Sequence, residues 1–124
     1  MTSLWDQYRA YIAWLNGRSW NELGAYAASD VQHNGRNLGL TGCRDMLIND
    51  FDQIPDLFFK IGLLTCEPPF VAARLGIRLP PKGAFLGLPV DGRRISFAEN
   101  VFHQFRDRRI ASVWPSIRLR LRLS

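Results

Sequence analysis

No stretch of the chain approaches the roughly 18 consecutive apolar residues that a membrane-spanning helix requires, so a bilayer span is excluded and no membrane partner is expected. Histidine is nearly absent, with His33 and His103 the only two. They fall in different predicted elements and no ligand spacing joins either to a carboxylate, so no metal site is expected. The two cysteines, Cys43 and Cys66, form no CxxC pair and read as small hydrophobes in a reduced compartment. There is no glycine-rich phosphate loop after a strand, no GxSxG elbow and no local cysteine–histidine signature. Cofactor-free acid/base chemistry, or simple binding, is what those absences leave. The opening segment "MTSLWDQYRAYIAWL" lacks a basic leader region and carries Asp6 and Arg9 among its apolar residues, which gives the expectation of an unprocessed cytoplasmic protein.

What is present is an ordinary globular composition, 47% hydrophobic and 22% charged over 124 residues, enough for one domain with one core. The net charge of +5 belongs to the end of the chain. Up to residue 105 the acidic and basic residues cancel, whereas residues 106–124 carry six arginines against Asp107 alone. A nucleic-acid binder spreads its cations over one face with exposed aromatics between them, so no nucleic-acid partner is expected.

Ser3 is placed to cap a helix carrying Leu4, Tyr8, Tyr11, Ile12 and Leu15, stopped by Gly17. Ser19 to Glu22 reads as a second capping box opening a short helix. "DVQHNG" alternates as a short strand that puts His33 on the face of Val31. Thr41 is then placed to cap a third helix, which must end near Pro55. From residue 57 the period becomes two: "LFFKIGLLTCE" and "FVAARLGIRL" flank Glu67-Pro68-Pro69 as a hairpin, and "PPKGAFLGLPVDGRR" reads as a loop. "RISFAENVFHQF" and "RRIASVWPSI" form a last hairpin turning at Asp107-Arg108.

A regular ladder from that turn opposes Phe105 to Ile110, His103 to Ser112, Val101 to Trp114, Glu99 to Ser116 and Phe97 to Arg118 on one face. Both faces of the hairpin are substantially apolar. The expected sheet is therefore covered by helices on one side and by a pocket wall or a second copy of the chain on the other, and a homodimer is expected.

Through "VQHNGRNLGLTG", "DFDQIPDLFFKI", "PPKGAFLGLPVDGRRISFAENVFHQFRD" and "IASVWPSI", the chain resembles the SnoaL-like polyketide cyclase, or ester cyclase, branch of the nuclear-transport-factor-2-like superfamily. The resemblance covers about residues 8–117 and implies an α+β cone, three N-terminal helices packed on a curved, mostly antiparallel sheet, with residues 118–124 as an atypical arginine/leucine tail. It implies a small apolar carbonyl compound as ligand and aldol-type cyclisation or isomerisation without a cofactor; a non-catalytic ligand-binding or dimerisation module of the same fold is the alternative. Arg118 stands four residues after Trp114, where similar cyclases carry an aspartate as general acid/base. Native cyclase activity is then expected to be weak until Arg118 is replaced by Asp, unless Glu99 is the base.

The candidate catalytic residues are His33 and Glu99. His33 has an unperturbed pKa of ~6.5, suited to proton transfer, and the competing reading is a hydrogen-bonded core histidine. Glu99, among apolar neighbours, is a candidate base of raised pKa, or else half of an ion pair with Arg74 or Arg118. The candidate substrate-binding residues are Asn34 and Asn100, to polarise an oxygen, Trp114, to hold a ring, and Arg74. His103 is expected at the rim. Asp50, Asp52 and Asp56 are expected to be solvated or capping. The ladder would bring Arg118 beside Phe97 and near Glu99, so the strand is expected to leave the sheet near Ile117.

Overall fold

The computed structural model describes the backbone of residues 3–53, 57–78, 82–85, 88–91 and 94–122, and the side chains of 3–53, 57–76 and 98–116. Helix α1 (Leu4–Gly17) starts where Ser3 Oγ accepts the Asp6 amide at 3.2 Å and donates to the Asp6 carboxylate. It ends at Gly17, as expected, and the cap that follows is not a glycine. Arg18 takes the left-handed conformation, φ 61°, while its guanidinium lies over the Phe51 ring and donates to the Leu57 carbonyl at 3.2 Å. Asn16 exchanges two 2.9 Å hydrogen bonds with the Phe59 backbone. The end of α1 is thus tied to the start of strand β3 (Phe58–Glu67), which fixes the helix across the sheet.

A 3-10 turn (Trp20–Glu22) leads into the single-turn helix α2 (Leu23–Tyr26), and Ser19 makes no side-chain cap bond, contrary to the expected capping box. Strand β1 (Ala27–His33) begins three residues before the predicted "DVQHNG", because Ala27, Ala28 and Val31 are buried. Asn34 and Gly35, both at positive φ, turn the chain into β2 (Arg36–Asn37), the mirror-image turn that suits strand twist. Helix α3 (Gly39–Gln53) packs back on β1 and buries Leu47 and Phe51.

Strand β3 pairs with β4 (Phe70–Arg78), as the hairpin reading required. The stretch read as a loop contains a separate two-stranded ribbon, β5 (Lys82–Phe85) and β6 (Leu88–Asp91). Strands β7 (Arg94–Arg106) and β8 (Arg109–Arg122) complete a six-stranded sheet in the order β2-β1-β8-β7-β4-β3, antiparallel except for β1 against β8. Three helices on a curved, mostly antiparallel sheet make this an α+β cone of the nuclear-transport-factor-2-like kind. Its core runs from Tyr8, Ile12 and Leu15 through Leu23 and Val31 to Val71, Val101 and Ile110.

The last hairpin departs from the regular ladder in one residue. Phe105 faces Ile110, but Gln104 then faces Ser112, so Ala111 is the extra residue of a β-bulge. Every later partner shifts by one: His103 faces Val113, Phe102 faces Trp114, Glu99 faces Ile117 and Ala98 faces Arg118. A one-residue slip exchanges the faces of a strand. Trp114 and Phe102 therefore lie on the side away from the helices, 39% and 56% exposed.

The same shift removes the reason for β8 to leave the sheet. Arg118 is opposite Ala98 and not Phe97, and β8 stays paired with β7 as far as Arg122 opposite Arg94. Pro115 is accommodated because β1 ends at His33 opposite Val113, so no β1 partner needs the amide that proline lacks.

Candidate functional site

Between α1, α3 and the inner face of the sheet lies a cavity of about 520 Å³. Most of its wall is apolar: Ile12 and Leu15 from α1, Met46 and Leu47 from α3, and Leu75, Val101 and Val113 from the sheet. The polar groups enter from four elements. Tyr11 comes from α1, His33 and Asn34 from the end of β1, Cys43 and Asp50 from α3, and Glu99 and His103 from β7. Among the described residues no lysine or arginine lines the cavity.

The polar groups are graded in depth. Asp50 and Asn34 are exposed at the mouth, His33 and Glu99 are half-buried, and His103 is only 3% exposed. Glu99 reaches the cavity because β7 alternates regularly: Glu99, Val101 and His103 line it, while Asn100 and Phe102 between them do not. Burial, and then the negative charge of Asp50, push the Glu99 carboxyl up to about 7. That is the range in which a carboxyl serves as both acid and base at neutral pH. Burial also raises the Asp50 carboxyl, an effect opposed by the neighbouring His33.

His103 is paired through its backbone with Val71 and Val113, and its ring meets Tyr8 and Tyr11 edge-on at centroid distances of 5.0 and 5.7 Å. Burial pulls its pKa down to about 3, so the imidazole is neutral. Its Nδ1 is buried without a hydrogen-bond partner, as is the Tyr8 hydroxyl. Burial holds the phenols of Tyr8 and Tyr11 far above the ordinary tyrosine range.

Of the residues singled out in the sequence, the structure brings His33, Asn34 and Glu99 to one cavity. Trp114, Asn100 and Arg74 do not line it. Trp114 is turned outward by the bulge at Ala111. Asn100 pairs with Ser116 and with Arg74, which is exposed, in a row parallel to Phe102–Trp114. The expected Glu99–Arg74 ion pair is therefore not formed, and the side chain of Arg118 lies outside the described residues.

Sequence reasoning misplaced one cavity residue and left another out of the site. His103 sits in the cavity wall and not at the rim; Asp50 is exposed, as expected, but also lines the cavity with Glu99. The spacing of Leu47 and Phe51 about Asp50 on α3 was the available signal. Asp52 is exposed, as expected, and Asp56 lies outside the described residues. Among the described residues no group of three or more His, Cys, Asp or Glu side chains is placed to hold a metal ion, and no helix is long and apolar enough to cross a membrane.

The SnoaL-like polyketide cyclase family model matches residues 6–118. A SnoaL-like polyketide cyclase from Agrobacterium tumefaciens is 44% identical in sequence and superposes with a TM-score of 0.88, over 95% of this chain and 93% of that one. More distant structures share the fold: TsrD from Streptomyces laurentii at 21% identity and TM-score 0.70, covering 90% and 84% of the two chains, and a cystatin-fold protein from Novosphingobium aromaticivorans at 20% and 0.73, covering 94% and 99%. None of the curated proteins compared with the chain matches it. The chain belongs to the SnoaL-like polyketide cyclase family.

Proposed function

We propose that the cavity binds a small, largely apolar carbonyl compound and carries out cofactor-free acid/base chemistry of the polyketide-cyclase or ester-cyclase type, an aldol-type ring closure or an isomerisation. The observation that carries this reading is Glu99, a carboxyl poised near neutrality on the wall of an otherwise apolar cavity. In the aldol form Glu99 takes a proton from carbon beside a carbonyl. The resulting enolate carbon bonds to a second carbonyl carbon of the same molecule, and Glu99 returns the proton to the alkoxide, so no net redox change occurs. His33, beside Asp50 at the mouth, is placed to exchange protons with water, and Asn34 to donate to a carbonyl oxygen.

The test is turnover of a panel of keto-esters by the native chain, Glu99→Gln, His33→Gln and Arg118→Asp. Native turnover that falls at least a hundredfold in Glu99→Gln, on the scale of general acid/base contributions, is the expected result. Activity that appears only in Arg118→Asp would move the proton chemistry to residue 118.

A further inference from the structure

The least explained polar group in the molecule is His103. A ring nitrogen buried without a hydrogen bond carries an uncompensated desolvation cost, and such groups in folded proteins normally meet an ordered water or a ligand. His103 is 3% exposed, its Nδ1 has no partner, and the residue forms part of the cavity wall. Its ring cannot swing away to find one, because Tyr8 and Tyr11 hold it edge-on and the strand fixes its backbone between β4 and β8. The buried Tyr8 hydroxyl beside it is also without a partner.

We propose that the inner end of the cavity is an oxygen-binding subsite, in which the neutral imidazole of His103 hydrogen-bonds a hydroxyl or carbonyl oxygen at the leading end of an uncharged ligand. The subsite rests on the cavity being the ligand site, not on the chemistry proposed for it. Its preference for an uncharged oxygen follows from the surroundings. Among the described residues the lining holds Asp50 and Glu99 and no lysine or arginine, so there a carboxylate ligand would meet like charge with no described cation to balance it. The imidazole itself stays neutral through the physiological range, because its burial disfavours the cation. A neutral imidazole nitrogen donates or accepts according to its tautomer, so the same nitrogen serves a carbonyl in one tautomer and a hydroxyl in the other. A ligand seated oxygen-first on His103 then extends toward Glu99, four residues back along the same face of β7.

The probes are naphthalene, 2-naphthol, 2-tetralone and 2-naphthoate, with binding measured by calorimetry on the native chain, His103→Phe and His103→Gln. One added hydrogen bond corresponds to about a tenfold gain. The native chain is expected to bind 2-naphthol or 2-tetralone about tenfold more tightly than naphthalene, and 2-naphthoate more weakly than either. Which of the two gains distinguishes a hydroxyl subsite from a carbonyl one. The advantage should vanish in His103→Phe and survive in part in His103→Gln. If His103→Phe does not fold, the ¹⁵N shifts of the native imidazole serve instead, moving with the oxygenated probe and not with naphthalene. Equal affinities for all three neutral probes, or an oxygen preference that persists in His103→Phe, would overturn the subsite. Neither result depends on turnover, so the absence of keto-ester activity would leave this test intact.

Discussion

Asp50 and Glu99 reach one cavity from opposite walls, Asp50 from α3 at the exposed mouth and Glu99 from β7 farther in, close enough for the first charge to raise the pKa of the second. A charged carboxylate in water and a protonated one out of it divide readily into a fixed anion and a transferable proton. Replacing Asp50 by Asn should therefore lower the Glu99 pKa below about 7 while leaving burial to hold it above 4.5. Carboxyl ¹³C titration by NMR reads this directly. An unchanged Glu99 titration would show that the two charges do not interact.

The raised Glu99 pKa also has a thermodynamic sign. Between pH 4.5 and 7 the folded chain holds a proton on Glu99 that the unfolded chain has lost, so this group destabilises the fold as pH rises through that window. Glu99→Gln removes the effect. The variant should gain stability relative to the native chain from pH 4.5 to 7, at no more than about 1.4 kcal/mol per pH unit. Urea denaturation of both proteins across the window measures the difference. A parallel pair of curves would mean that Glu99 ionises freely.

His103 acts in the opposite sense. Its folded pKa, about 3, lies below the ordinary 6.5, so its contribution is present above pH 6.5 and is lost as pH falls through the folded value. In His103→Gln the acid limb of the stability profile should flatten. Because the two windows overlap between 4.5 and 6.5, only comparison of each variant with the native chain separates them.

The final hairpin turns through Asp107 and Arg108 at φ 51° and 65°. Arginine is strained in that region by roughly 1 kcal/mol, whereas glycine is not. Arg108→Gly should accordingly stabilise the fold by about 1 kcal/mol, raising Tm by about 4 °C. A Tm that falls would mean that Arg108 makes a compensating contact.

On the outer face of the sheet, Phe102 and Trp114 lie side by side with Phe70 nearby, all exposed. A homodimer that covers this face is the expected assembly at tens of micromolar. Sedimentation should show a dimer for the native chain and a monomer for Phe102→Glu. A native monomer at that concentration would remove the proposal.

Much of the fold was legible from local rules. Ser3 announced the first helix, the alternation of "DVQHNG" announced the first strand, and the period-two runs announced the sheet. The largest error has one physical origin. Ala111 is an ordinary strand residue, and nothing in its side chain marks a bulge. The misplacement of Trp114 and Arg118 followed from reading the hairpin as regular, whereas His103 was put at the rim for its nearness to the turn. Asp50 is exposed, as expected, but its place on the cavity wall was not legible, because only the packing of α3 on β1 brings it there. His33 and Glu99 needed only parity along β1 and β7, neither of which carries the bulge.

The bulge also makes the shape of the cavity depend on a residue that is no part of its wall. Ala111 works as a phase shifter: on the turn side of it the chain presents Ile110 inward, and beyond it Val113 and Pro115. Were Ala111 deleted, the strand beyond would rotate by half a period, bringing the indole of Trp114 toward the helices and Val113 to the outside. The space now open beside His33 would then be filled by a ring, and the outer face would lose half of its aromatic pair. One backbone position thus sets both the volume available to a ligand and the stickiness of the opposite surface, and a single-codon deletion would change the two together. A deletion variant that still bound naphthalene like the native chain would show that the two surfaces are set independently.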